Sequence, residues 1–201
     1  MKTLIIGADP FPPYQYIDDD GNIQGSDYAT VKSIIDKMGY PAKFIIDEWS
    51  IIEKKFKEKE IDLVFQVQKT PEREKYFYFS HKLRDAVTSI VTASNGTKYN
   101  SIDDLFLANA KIGVLKGYQY GELIDSIPAE YKEFFGSLDE LLDSVNNGLT
   151  KFGVTDLGVF NHLNNNGKYD AIKVLDNFNF NRPLYVAFND SNIRDEFNSH
   201  M

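Results

Sequence analysis

The 201-residue sequence has no cysteine. That excludes disulfides and thiol nucleophiles, and it removes the thiolate ligands on which structural zinc sites usually depend. Histidine is scarce as well. His81, His162 and His200 stand far apart with no metal-ligand spacing, so neither a metal nor any other cofactor is expected. A basic excess is also missing. Lys and Arg number 22 against 30 Asp and Glu, a formal net charge of −8. A nucleic-acid binder needs a basic face to displace phosphate counterions, so no nucleic-acid partner is expected. No stretch approaches the roughly 20 apolar residues of a membrane-spanning helix. The opening run Met1-Lys-Thr-Leu-Ile-Ile-Gly-Ala is too short for a signal peptide, and Asp9 and Pro10 interrupt it.

What is present is ordinary globular material. Hydrophobic residues make up 42% and charged residues 26%, close to the average of folded domains. The length allows one domain or two small lobes. Strand-like and helix-like patterns alternate, which predicts an α/β fold with largely parallel sheets. Thr3 to Ala8 reads as a strand. A helix follows from about Asp27 to Met38, where Ala29, Val31, Ile34, Ile35 and Met38 recur at helical spacing and Gly39 supplies a stop. Ala42 to Ile46 is a second strand, Ser50 to Lys59 a second helix, and the segment from Ile61 a third strand. A β-branched run over Ala86 to Ala93 and a second extended stretch, Pro183 to Phe188, read as crossings between two units. Between them the pattern predicts strands at Lys111–Leu115, Phe152–Thr155 and Ala171–Leu175. It predicts helices at Tyr118–Ile127, Leu138–Val145 and Leu157–Leu163. From Ile193 a helix begins that the chain end cuts off; Ile193 and Phe197, four residues apart, can both face the first lobe, and either an exposed apolar patch on that lobe near Phe197 or its occupation by a neighbouring molecule is expected.

The most informative stretch is Ile61-Asp-Leu-Val-Phe-Gln-Val-Gln-Lys-Thr-Pro-Glu-Arg-Glu-Lys75, followed by Phe79-Ser80. Leu63, Val64, Phe65 and Val67 are strand formers. Thr70-Pro71 provides a helix N-cap followed by proline at the first helical position. Alternation along the strand puts Gln66 and Gln68 on one face near its C-terminal end, with Arg73 within a turn. Two amides and a guanidinium converging there would form a carboxylate-binding corner, because the planar fork of arginine matches a carboxylate. The same residues also fit a solvated surface arginine beside Glu72 and Glu74.

In order along the chain, several further segments carry a resemblance. They are Ile5-Ile-Gly-Ala-Asp-Pro-Phe-Pro-Pro-Tyr14, Asp20-Gly21 with Gly25-Ser26-Asp27, Glu48-Trp49, Asp62 through Ser80, Gly113-Val-Leu-Lys-Gly117 and Thr155-Asp156. Together they resemble the extracellular (periplasmic) solute-binding proteins of the polar-amino-acid class, which have the two-lobed type II periplasmic binding fold. The resemblance implies two α/β lobes: residues 1–88 with 187–201, and residues 89–186. Hinge strands would lie near 84–93 and 183–188, with a cleft between the lobes. It implies that Arg73 grips a ligand carboxylate and that Phe11 and Trp49 sandwich the ligand's apolar part. Asp156 would accept from a ligand amine, although Thr-Asp before an apolar run is also a helix N-terminus signal. Gly117 would open a helix whose free N–H groups face an anion. The chain departs from the family where small residues give way to Gln66 and Gln68, and to Tyr118 and Gln119.

The resemblance implies a periplasmic or extracellular receptor, expected to be monomeric. It would bind a small polar, carboxylate-bearing solute such as an amino acid or organic acid, and deliver it by cleft closure to the permease of an ABC importer. The alternative is a ligand-sensing domain of a membrane signalling receptor. A third reading, a dehydratase-like enzyme, would need a titratable group poised in the cleft. Asp9, Lys116 and Asp156 are the candidates, no triad or metal motif accompanies them, and no catalytic residue is expected.

Overall fold

The computed structural model describes residues 2–93, 99–107 and 110–201. The expected second lobe includes residues 94–98 and 108–109, which lie outside the described residues. By contact density the chain divides into two compact units, Met1–Asp85 with Pro183–Met201, and Ala86–Arg182.

The first unit begins with strand β1 (Leu4–Ala8) and a small hairpin, β2 (Tyr16–Ile17) and β3 (Ile23–Gln24). Helix α1 (Ser26–Met38), β4 (Ala42–Ile46), α2 (Trp49–Lys57), β5 (Leu63–Val67) and the two-residue β6 (Tyr78–Phe79) follow. β1 pairs in parallel with β4 on one side and β5 on the other. Helix α1 starts where it does because of Gly25. Its φ is 122°, and a Cβ there would sit 2.1 Å from the Tyr14 carbonyl oxygen, so only glycine lets the hairpin close onto the helix start. The buried apolar face of α1 is Val31, Ile34, Ile35 and Met38, four of the five residues whose spacing predicted the helix; Ala29 is exposed. They pack with Leu4, Ile6, Phe65, Val186 and Phe188.

Helix α7 (Ser191–Ser199) joins that core, N-capped by Asp190, whose side chain accepts from the Asn192 N–H. Phe197 is 0% exposed, with its ring 5.3 Å from that of Phe188. Phe197 is thus enclosed by the first unit's own core, with Ile193 packed against the same cluster, the side that their four-residue spacing predicts. The helix is short, but it stands on packing rather than on its few internal hydrogen bonds.

The second unit contains most of β7 (Arg84–Thr92), then α3 (Ile102–Leu107), β8 (Ile112–Leu115), α4 (Glu122–Asp125), β9 (Lys132–Phe135), α5 (Leu138–Asn146), β10 (Phe152–Asp156) and α6 (Leu157–Leu163). β10 pairs antiparallel with β7 and parallel with β8, and β8 pairs parallel with β9. β9 has no expectation behind it, because Lys132-Glu-Phe-Phe135 offers neither alternation nor length. Helix α5 carries a reciprocal cap: Ser137 Oγ accepts from the Glu140 N–H, and the Glu140 carboxylate accepts from the Ser137 N–H.

Two elements differ from expectation. The strands predicted at Ala171–Leu175 and Pro183–Phe188 are one 16-residue strand, β11 (Lys173–Phe188), which runs through Pro183 without ending there. The helix expected over Tyr118–Ile127 is a turn followed by the four-residue α4. The reason is Gly117 at φ 76° and Gly121 at φ 100°, two left-handed positions that fold the segment into turns. Asp125 then reaches back to accept from the N–H groups of Tyr120 and Gly121 at 2.9 and 3.0 Å. Gly117 does not open a helix, so its expected role as a helix N-terminal anion donor is withdrawn.

Candidate functional site

In the first unit, the expected carboxylate corner is built differently from the expectation of a plain strand end. Gln66 adopts φ 63° inside β5, which breaks the alternation that would put it on the same face as Gln68. Opposite it, the register between β11 and β5 shifts between Tyr185 and Ala187. The left-handed turn aims the Gln66 amide at helix α1, where Nε2 donates to Asp27 Oδ2 at 2.8 Å. The same oxygen accepts from Arg84 Nε at 2.7 Å. Asp27 is buried, 5% exposed, and it is the acid of the Gly25-Ser26-Asp27 segment. The Arg84 guanidinium also lies over the Tyr14 ring, 3.5 Å from its centroid. Gln66 thus closes an internal network, Tyr14–Arg84–Asp27–Gln66. Nothing in the sequence patterns picked out Arg84 or Asp27 as members of it, since the two are 57 residues apart.

Gln68 lies just beyond β5. Its backbone carbonyl accepts from Arg73 Nη1 at 3.0 Å, while its side-chain Oε1 is buried with no donor among the described residues. The helix expected after Thr70-Pro71 is a single 3₁₀ turn, Arg73–Lys75, and Thr70 Oγ1 accepts from the Arg73 N–H at 3.3 Å. The arginine is not the solvated surface residue of the alternative reading, for only 14% of its side chain is exposed. Its guanidinium lies 5.4 Å from the Trp49 ring centroid, and Nη2 is 3.6 Å from Glu53 Oε1. Trp49 is the first residue of α2 and Glu53 is one turn later, so one helix supplies both a platform and a counter-charge. Phe11, in the loop after β1, is buried and stacks on Tyr14 with ring centroids 6.2 Å apart. The structure therefore brings Trp49, Gln68 and Arg73 into one cluster. Phe11 stacks on Tyr14, the ring that carries the Arg84 guanidinium.

In the second unit, Tyr118 stacks on Tyr120 at 6.3 Å. The buried Tyr120 hydroxyl accepts from the Leu115 N–H at 2.9 Å, and burial pushes its pKa well above the usual phenol value. Gln119 presents its backbone carbonyl to Arg182 Nη1 at 3.1 Å, and its side-chain Oε1 is buried with no donor among the described residues. Asp156 caps α6: Oδ1 accepts from the N–H groups of Gly158 and Val159 at 2.9 and 3.1 Å. Its other oxygen is 3.9 Å from Arg182 Nη2. Arg182, 8% exposed, is a second residue that sequence reasoning missed. It stands immediately before Pro183 at the expected crossing, and no sequence pattern ties it to Asp156, 26 residues earlier. Among the described residues, no group of three or more His, Asp or Glu side chains could hold a metal.

The family model of bacterial extracellular solute-binding proteins, family 3, matches residues 4–198. A probable amino-acid ABC transporter-binding protein of Haemophilus influenzae is 26% identical over 106 residues, 52% of this chain and 41% of that protein. The L-cystine-binding protein TcyJ of Escherichia coli K12 is 26% identical over 156 residues, 70% of this chain and 58% of TcyJ. The matched regions thus span less than two thirds of these relatives. An ancestral arginine-binding protein bound to arginine superposes with TM-score 0.85 at 23% identity, covering 98% of this chain and 90% of that one. A histidine kinase sensor domain with similarity to periplasmic binding proteins superposes with TM-score 0.86 at 15% identity, covering 99% and 88%. The fold is accordingly that of the type II periplasmic binding proteins, and the chain belongs to the bacterial extracellular solute-binding proteins of family 3.

Proposed function

We propose that this protein is an extracytoplasmic receptor for a small, polar, carboxylate-bearing solute, which it passes to an ATP-driven importer, and that Arg73 is the carboxylate anchor. The observation that carries this reading is the setting of Arg73. A guanidinium with little exposure, over the Trp49 ring and fixed by the Gln68 carbonyl, is preorganised, so little rotamer freedom remains to be lost when a carboxylate docks. Phe11, Trp49, Gln66, Gln68, Tyr118, Gln119 and Asp156 are the other residues through which the family resemblance would route ligand contacts. Gln66 acts in this reading by holding Asp27 rather than by touching the solute. No side chain among them is arranged as a nucleophile with its base, and the reading is one of binding without turnover.

The fold is shared with transport receptors and with a sensor domain, so fold similarity does not choose between delivery and sensing. Delivery is the reading favoured by the transporter-binding relative. A thermal-shift screen against amino acids, organic acids and amines tests the binding claim, because a ligand specific to the native state raises its stability. Stabilisation confined to acids supports it. Stabilisation by amines alone, or by no member of the screen, sinks it.

A further inference from the structure

Three groups of the first unit hold Arg73, and they differ in charge. The Gln68 carbonyl and the Trp49 ring are neutral, while Glu53 brings a carboxylate oxygen, Oε1, to 3.6 Å from Nη2. The same oxygen lies 3.3 Å from Lys57 Nζ, one turn further along α2. No hydrogen bond to the Glu53 carboxylate accompanies either ion pair among the described residues. Other acids of this unit are more fully engaged. Asp27 Oδ2 accepts from both Arg84 and Gln66, and Glu74 is paired with Lys69 at 2.8 Å. Glu53 keeps 29% of its side chain exposed, so a solute can reach it.

An α-amino acid carries a carboxylate and an ammonium on one carbon. Arg73 and Glu53 present the opposite charges side by side. A zwitterion laid against them head to tail meets an opposite charge at each end. The same acid without its ammonium still meets Arg73, but it also meets a carboxylate of its own sign. Discrimination of this kind combines an attraction for one ligand with a repulsion against its rival. Gln68 adds an acceptor on the residue whose carbonyl fixes Arg73: its Oε1 is buried with no donor among the described residues. Such an oxygen costs free energy until something donates to it, and an ammonium has three N–H groups to share.

We infer that Glu53 is a specificity-determining residue of the carboxylate site: it receives the solute's α-ammonium beside the carboxylate held by Arg73. The first unit alone then distinguishes an α-amino acid from its counterpart without the amino group. The inference rests on the carboxylate reading above. Its rival is that Glu53 merely holds Arg73 in place, and the experiment separates the two.

Matched pairs serve as probes, each an L-amino acid and the same acid with hydrogen in place of the amino group: arginine with 5-guanidinopentanoate, glutamine with 4-carbamoylbutanoate, leucine with 4-methylpentanoate. Calorimetric titration is read on wild type, Glu53→Gln and Glu53→Asp. Wild type should bind the amino member of a pair about tenfold tighter or more, the size expected from one well-placed charge. Glu53→Gln should weaken the amino member about tenfold and leave its counterpart unchanged or tighter. Glu53→Asp should keep part of the preference, since the charge remains but is withdrawn by one methylene. Equal weakening of both members shows a merely positioning Glu53; it overturns the inference and leaves the carboxylate reading standing. So does a preference that Glu53→Gln does not alter, or a wild type that favours the acids without ammonium. Absence of binding by both members of every pair overturns the carboxylate reading and the inference with it. If Glu53→Gln does not fold, Glu53→Asp decides, and an undiminished preference there overturns the inference.

Discussion

Replacing Asp27 with asparagine would keep its shape and remove its charge. In the wild type, Oδ2 accepts from both Arg84 Nε at 2.7 Å and Gln66 Nε2 at 2.8 Å, with the Asp27 and Arg84 side chains 6% and 18% exposed. The asparagine leaves the Arg84 guanidinium partly desolvated, held over Tyr14 and without a counter-charge. Breaking a buried pair from one side costs about 3–5 kcal/mol. Arg84 is not fully enclosed and can recover some hydration, so a loss of about 2–4 kcal/mol is expected. Arg84→Met should cost less by itself, since a methionine fills the space over Tyr14, although it strands Asp27. The double variant should be more stable than the sum of the single losses implies, with a coupling of about 1–3 kcal/mol. Urea unfolding with a common slope measures all four states. An Asp27→Asn protein within about 0.5 kcal/mol of wild type, or a coupling near zero, would refute the claim that this network organises its part of the first unit.

Three further outcomes follow from the same physics. Gln66→Gly should be more stable than Gln66→Ala by about 1 kcal/mol in urea unfolding, because both lose the bond to Asp27 but only glycine adopts φ 63° without strain. Phe197→Ala should cost about 3–5 kcal/mol, the usual loss for an enclosed phenylalanine, and an exposed α7 would instead give a change near zero. Tyr120→Phe removes the acceptor of the Leu115 N–H and should cost about 1–3 kcal/mol at pH 7. Its pH dependence has a definite sign. Burial raises the hydroxyl's folded pKa above the ordinary 10.0, so the native state keeps a proton that the unfolded chain releases. That stabilisation is complete below pH 10 and is lost as pH rises further, so the gap between wild type and Tyr120→Phe should narrow in alkaline unfolding curves. A constant gap would contradict it.

Element identity was largely legible because it follows from local spacing. Val31, Ile34, Ile35 and Met38 announced α1, and the β-branched run after Asp85 announced β7. Arg73 was legible as well, since Thr70, Pro71 and the arginine lie within one turn. Its partners were less so. Glu53 and Trp49 reach it from another helix, and neither charge pattern nor periodicity reports a contact across the fold. The Gln66 error has a physical origin: period-2 alternation assumes extended backbone, and a single left-handed residue cancels it. The misplaced helix at Gly117 arose the same way, because two glycines at positive φ outweighed the helix-forming residues around them. Arg84 and Arg182 escaped notice because no local pattern pairs either with its acid, and only the fold puts Asp27 and Asp156 beside them.

The central claim is that Arg73 receives the solute's carboxylate. Calorimetric titration of wild type, Arg73→Ala and Arg73→Lys with whichever acid stabilises the protein tests it directly. Truncation of a desolvated charge partner costs about 2–5 kcal/mol, so Arg73→Ala should bind at least roughly thirtyfold more weakly. Arg73→Lys should restore only part of the loss, since a point charge lacks the planar fork. Wild-type affinity in a folded Arg73→Ala protein would contradict the account.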